Sequence, residues 1–494
     1  MSFLQGGEDS HNNGTSNSTS AQNDKVLITI AAIKNELTGI NDAVFKDIQT
    51  PDELVTIIYF SSLIEKLTLY RTVIFPLLDQ KEDLLKSADV PEKVNLSGVL
   101  FSITEGNTIV YFHEKNLFIT VHTYSPPMSS IIGSDTESSV IGPQDAFTES
   151  LQTNLSLIKR RLRNTGLKNE DYTIGTETNT KISVVYMEHI VNKDNLDKVL
   201  KKISEIKHPG FNDISVLKQL MDDHPFSPFP QFHGTVRPDA AVNYLLDGRV
   251  AILMNNSQAL LICPISFFEL FTSPEDYYNR WTTASLLRAL RFFGFFLTII
   301  LTPTYISVLS HHPEMLPFNV LLNLQESRGK VPFSPVLEVL FMELVIEILR
   351  EAGTRMPTKI GQTIGIVGGI VIGTAAVEAS LVSNVLIVLV AISALLSFLP
   401  PNFVMSNASR SIRYLFIVAA GMFGLYGQMI AFAWLFHHLL TLTSLGAPYM
   451  TPIIPRKWSD YLNSVVRVPT LYRRRKAGIS RAQSTKKPPV EGGK

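Results

Sequence analysis

One cysteine, Cys263, stands in 494 residues, so the chain forms no internal disulfide and a single copy builds no thiolate metal cluster. Net charge is missing too: 44 Lys and Arg balance 44 Asp and Glu, which removes any global pull towards nucleic acid. Residues 1–24, rich in Ser, Asn, Gly and Gln, lack the basic and apolar regions of a secretory signal and are expected to be a disordered tail. Nothing there directs the N-terminus across a membrane, which leaves the soluble half in the cytoplasm. Catalytic signatures are also absent: no Gly-rich loop ends in Lys-Ser/Thr, and no Gly-x-Ser-x-Gly or obvious triad occurs. His224 and His233 have no metal-ligand spacing. The chain is therefore expected to be no enzyme and to need neither cofactor nor metal. Long apolar runs are missing from residues 1–280 but crowd residues 292–440, so the two halves face different solvents.

The soluble half reads as α+β in two subdomains, over residues 25–95 and 96–285. Leu63, Leu67, Tyr70 and Val73 recur at three- and four-residue steps, which predicts a helical first subdomain. Strands are expected at Gly98–Thr104, Thr108–Phe112 and Leu117–Thr123 as a meander, then at Lys181–Met187 and as an interrupted pair over Val250–Ile262. Helices are expected over Asp145–Asn164 and Asn195–Ile206. Lys159, Arg160, Arg161 and Arg163 near the first helix's end read as solvent-facing charge that complements the helix dipole. Three prolines in Asp223–Gln231 predict a rigid, extended connector.

An all-α integral membrane bundle of four or five segments is expected over residues 286–445, followed by a basic C-terminal tail, 446–494. Phe292–Leu309, Leu381–Leu399 and Ile412–Leu440 read as plain spans. Arg280, Arg288 and Arg291 place the first span's start in the cytoplasm. Val336–Glu351 differs. On a helix, Glu343, Glu347, Arg350 and Glu351 fall on one stripe about 100° wide and apolar residues fill the rest. Such a stripe at membrane depth lines a pore or vestibule, or else the helix lies flat at the interface. From Gly361 to Ala379, Gly361, Gly365, Gly369 and Gly373 repeat every fourth residue, beside Gly368 and Ala376. That ladder permits close helix contact, within the bundle or between copies of the chain. A fifth span would put the basic tail outside; four would return it to the cytoplasm, where it could touch anionic lipid.

The wording of the sequence adds a resemblance, over roughly residues 95–450. Gly142-Pro143 is followed by Phe147-Thr148-Glu149-Ser150-Leu151, Thr153-Asn154 and Arg160-Arg161. Further on come Ser227-Pro228-Phe229-Pro230-Gln231, Arg237-Pro238-Asp239, Asp247–Leu253 and Ser273–Tyr278. Leu349–Gly353 and the run from Gly361-Gln362 through Val367-Gly368-Gly369 to Ala375–Ala379 complete the set. In these stretches the chain resembles the A subunit of the GerA-type spore germinant receptors of endospore-forming bacteria. It departs at Ile141, at Val236 and at Asn255–Gln258, which puts local contacts of the soluble region in question. The resemblance implies a nutrient receptor of the spore inner membrane, assembled with a permease-like B subunit and a lipoprotein C subunit. It also implies an A subunit that self-associates into a nutrient-gated cation channel, with a non-conducting scaffold as the alternative.

Overall fold

A computed structural model describes residues 29–454 apart from 51–52, 80–94, 116, 126–136, 138–140, 356–368 and 370, together with 466–467, 469 and 478–483. Thr29 caps the first helix, α1 (Ile30–Glu36), by accepting from the Ala32 amide. Strands β1 (Ala43–Gln49) and β2 (Leu54–Phe60) follow, then α2 (Lys66–Leu69), a π-helical turn at Tyr70–Ile74, and α3 (Phe75–Leu78). The helical reading of residues 25–95 is thus corrected. Helical periodicity is real from Lys66 onward, but Leu54–Phe60 is a β-branched and aromatic run that pairs along its whole length with β1.

A second correction concerns Gly98–Thr104, which lies in helix α4 (Leu96–Thr104) and not in a strand. The side chain of Asn95 accepts from the Gly98 amide at 2.7 Å, and this cap outweighs the strand-like composition. Strands β3 (Thr108–Phe112) and β4 (Leu117–Val121) complete an antiparallel sheet in the order β1-β2-β3-β4. One core, including Val55, Ile57, Ile109 and Ile33, therefore joins residues on both sides of the expected boundary at 95.

The second unit contains α5 (Leu151–Arg161), β5 (Leu167–Ile174), β6 (Thr180–Met187), α6 (Lys193–Glu205), α7 (Ile214–Met221), β7 (His233–Thr235), α8 (Pro238–Leu246), β8 (Val250–Met254) and β9 (Leu260–Cys263). Its antiparallel sheet has the order β5-β6-β8-β9-β7, with helices on both faces. Strand alternation assigns the faces. Ile182, Val184, Ile252 and Met254 meet α6 and α7, while Val185, Met187, Ala251 and Leu253 meet α5 and α8. Cys263 is a small buried residue whose thiol burial pushes up to about 12. Lys159 departs from the expected solvent-facing charge: it is buried and ion-paired with Asp42, which also accepts from Ser62 at 2.5 Å. That pair locks the two units together, because a buried ammonium is tolerated only beside a counter-charge.

The helical part starts with α9 (Trp281–His311), rooted in the soluble unit by Phe267, Phe268 and Phe271, whose rings pack on Phe292 and Phe295. Asp276 receives Arg291 at 2.9 Å and Arg288 at 3.4 Å. Beyond α9 lie α10 (Phe318–Arg328), α11 (Pro335–Arg355), helical residues 371–378, α12 (Asn384–Ser397) and α13 (Phe403–Thr441). Both α11 and α12 run back along α9. Tyr305 meets Ser383 at 3.0 Å, Ser393 donates to the Thr298 carbonyl at 3.3 Å, and Gly294 packs flush on Leu399.

A straight 39-residue α13 would measure about 58 Å, nearly twice a bilayer core. It is folded in two. Gly424 breaks it at φ 61°, ψ −138°, a conformation open in practice to glycine alone. Phe416 then meets Phe432 at 4.9 Å, and Gly427 lies against the Ala419 backbone. The single span expected over Ile412–Leu440 is therefore corrected to two antiparallel arms, turning beside His311 at the far end of α9.

After the second arm the chain returns to the soluble unit through a ribbon of β10 (Thr443–Ser444) and β11 (Ala447–Pro448). Tyr449 donates to the Pro230 carbonyl at 2.7 Å, and Asn195 to the Ser480 carbonyl at 3.1 Å. Away from these contacts the helices expose Leu286, Phe293, Leu344, Ile348, Leu395 and Met429, an apolar exterior unsuited to water. Trp281–His311 and Phe403–Thr441 are long and apolar enough to cross a membrane.

Candidate functional site: charge inside the helical bundle

The acidic stripe lies on α11, as its spacing predicts, but its members part company. Glu343 is fully buried, with Arg413 of the first α13 arm 2.6 Å away and Thr302 of α9 donating at 3.2 Å. Arg413, equally buried, donates to Ser393 of α12 at 2.7 Å. Four helices thus meet on one ion pair. The shared hydrated face expected for Glu343 and Glu347 is corrected for Glu343, because an ion excluded from water is stable only against its counter-ion. Glu347 pairs with Arg350 one turn on, a third of its side chain still exposed. Glu351 pairs with Arg355 at 2.6 Å on the surface, an arrangement worth little in stability.

Of the glycine ladder, Gly361, Gly365 and Gly368 lie outside the described residues. Among the described residues a Cβ placed on Gly369 or Gly373 would meet nothing within 4 Å, whereas Ala376 is buried among Tyr305, Val339 and Leu386. The glycine face is open; its neighbour is packed.

Several polar groups of the bundle escape a reading of the sequence. Glu338, wholly buried, accepts from the Ser383 amide at 2.6 Å and from Arg328 at 3.2 Å. Gln428 of the second arm donates to Ser307 at 2.6 Å. Arg410 and Arg413 stand out in the sequence only as markers of sidedness. The signal that would have singled them out is two arginines three residues apart at the start of a long apolar run, where a charge has to find a partner or water.

A cavity of about 410 Å³ lies between the second soluble unit and the start of α13, lined by Glu137, Lys218, His233, Arg237, Asn402 and Val404 among others. Burial raises the Glu137 pKa despite the hydroxyl of Thr235 at 2.7 Å, and lowers that of Lys218. Burial, with the like charges of Lys218 and Arg249, pushes His233 down to about 4. Arg237 is spent on Asp239, with bonds of 3.0 and 2.9 Å. Among the described residues no group of three His, Cys, Asp or Glu is placed to hold a metal ion.

Residues 31–478 match the family described as Bacillus/Clostridium GerA spore germination protein. The chain is 37% identical over 454 residues to spore germination protein GerQA of Bacillus cereus, covering 90% of this chain and 91% of that one. It is 34% identical over 456 residues to spore germination protein KA of Bacillus subtilis (strain 168), covering 89% and 84%. Among solved structures, the N-terminal domain of the A subunit of the Bacillus megaterium spore germinant receptor GerK3 aligns with 48% of this chain and 94% of its own. The identity there is 22% and the TM-score 0.37, too low to carry over fold or function.

Proposed function

This chain belongs to the GerA family of spore germination proteins, and on that premise we propose that it is the A subunit of a nutrient germinant receptor which oligomerises into a nutrient-gated cation channel of the spore inner membrane. Its partners in this reading are a permease-like B subunit, a lipoprotein C subunit and further copies of itself. The observation that carries self-association is the open face at Gly373, where no described residue of the chain supplies a packing partner; Gly369 borders a cavity beside Arg350 and Phe398. In lipid, such a face gains energy only from another backbone brought close.

For the membrane arrangement, α9, α11, α12 and the two arms of α13 make five passes among the described residues, and because α11 and α12 both run back along α9 the chain changes side once more between them, giving six crossings in place of the four or five counted from hydropathy. An even number returns the C-terminal residues to the side of the soluble units, in keeping with the Asn195–Ser480 bond. Glu347 and Glu351 are the stripe members left for a passage between subunits. Glu343 and Arg413 hold the helix that carries them, as a latch whose partners sit on different helices and can separate in a gating movement.

Neutralising the pair as Glu347→Gln/Glu351→Gln is expected to slow cation release from germinating spores at unchanged receptor level; unaltered release would remove these residues from the passage. A non-conducting scaffold is favoured by a different observation, namely that every carboxylate of the stripe is already paired with an arginine of its own chain. Liposomes holding the purified chain with its two partners separate these readings, since a scaffold gives no nutrient-dependent conductance.

A further inference from the structure

At the end of the bundle nearest the soluble units, α11, Gly369, α12 and the first arm of α13 line a second cavity, half open and of about 310 Å³. Three guanidinium groups line it, from Arg350, Arg410 and Arg413, against apolar walls that include Leu349 and Phe398. Two of the three are neutralised, Arg350 by Glu347 and Arg413 by Glu343. Arg410 is not. It is 5% exposed, and among the described residues its Nη2 donates only to the uncharged side-chain oxygen of Asn407 and its buried Nη1 has no hydrogen-bond partner. A guanidinium cannot shed its proton at any ordinary pH, so among the described residues one uncompensated positive charge borders the cavity, with its unpartnered Nη1 buried just behind the wall.

We propose that this cavity binds a phosphate-bearing anion, gripped by the fork of Arg410 with Arg350 beside it. The inference rests on the membrane reading above, which also makes an anionic lipid headgroup the source. Arg410 lies seven residues into its arm, about 10 Å along the axis, and helix side chains lean towards the N-terminus, which returns the guanidinium to headgroup depth. Ile348, Leu395 and Phe398, all exposed next to the cavity, provide the surface on which acyl chains lie. Arginine suits the task because its planar fork matches two phosphate oxygens at once.

The test uses the full-length chain in vesicles of phosphatidylcholine, alone or with part of it replaced by phosphatidylglycerol. Flotation is read first: failure to insert in either overturns the membrane reading and this site with it. Given insertion, phosphatidylglycerol is expected to raise the thermal unfolding midpoint over phosphatidylcholine. Arg410→Gln is expected to abolish that rise and to retain about ten-fold less phosphatidylglycerol on purification, whereas Arg355→Gln behaves as the wild type. Inorganic phosphate added to phosphatidylcholine vesicles identifies the source, because a matching rise there assigns the site to a soluble phosphate compound. Equal midpoints under all three conditions overturn the proposal, as does an undiminished response in Arg410→Gln. Should the glutamine variant fail to fold, Arg410→Lys replaces it. That variant keeps the charge without the fork and is expected to hold phosphatidylglycerol less tightly, equal retention again overturning the site.

Discussion

Arg413 and Glu343 show what a charge requires inside an apolar bundle. Each alone is an ion denied water; together they neutralise one another, with Thr302 and Ser393 adding one hydrogen bond each, while among the described residues Glu343 Oε2 and Arg413 Nε make no hydrogen bond. Arg413→Leu is expected to lower stability by about 3–5 kcal/mol, because it strands a buried carboxylate. The double variant Arg413→Leu/Glu343→Leu should recover most of that loss in thermal unfolding of the detergent-solubilised chain. At His233 the linkage has a definite sign. Its pKa, pushed down to about 4, means that the folded chain resists the proton, so its contribution is complete above about 6.5 and is lost as pH falls from there towards 4. Asp222 acts in the opposite sense: burial raises its pKa to about 6, so its contribution is complete below about 3.8 and is lost as pH rises through 6. Unfolding followed from pH 7 down to 4 should therefore show a flatter acid limb in His233→Asn than in the wild type. A parallel curve would show that this ring contributes nothing to acid sensitivity. The acidic stripe was legible from residue spacing, but its pairing was not, since nothing in the spacing of α11 says which face turns towards Arg413.

At the scale of elements, one glycine makes two antiparallel arms out of an apparent single helix. Gly424 is needed twice over: its backbone torsions exclude other residues, and a Cβ would come within 2.7 Å of the His311 Cβ. Gly424→Ala is expected to destabilise the chain by about 1–3 kcal/mol or more. Gly373→Ala, whose new methyl meets no described residue within 4 Å, should leave the unfolding midpoint of the single chain unchanged. Equal midpoints in the two variants would argue against the hairpin. Hydropathy could not find this turn because both arms are apolar and the reversal occupies one residue. A similar blindness produced the errors at Leu54–Phe60 and Gly98–Thr104, where strand pairing and a single Asn95 cap decided between two conformations that short apolar runs permit equally.

For the molecule as a whole, the decisive contacts are those that close the chain on itself, with the residues after α13 docked on the soluble unit that precedes α9. Cysteines placed at the exposed Gln483 and Gln325, once Cys263 is replaced, should react with an impermeant label from opposite sides of the membrane. Labelling from one side would refute the six-pass arrangement. The amino-acid sequence by itself determined the partition between a charged α+β half and an apolar helical half. It also set the positions of most strands in the second sheet, the acidic stripe, the glycine ladder and the family. Local composition and periodicity suffice for these, because each depends on which solvent or neighbour a short segment prefers. Only the tertiary structure decided that Lys159 closes a seam between the two soluble units, that Glu343 belongs to Arg413, and that Arg410 has no ion-pair partner among the described residues. Such outcomes depend on distances between segments tens to hundreds of residues apart, where low dielectric makes every unpaired charge costly and so selects one mutual arrangement.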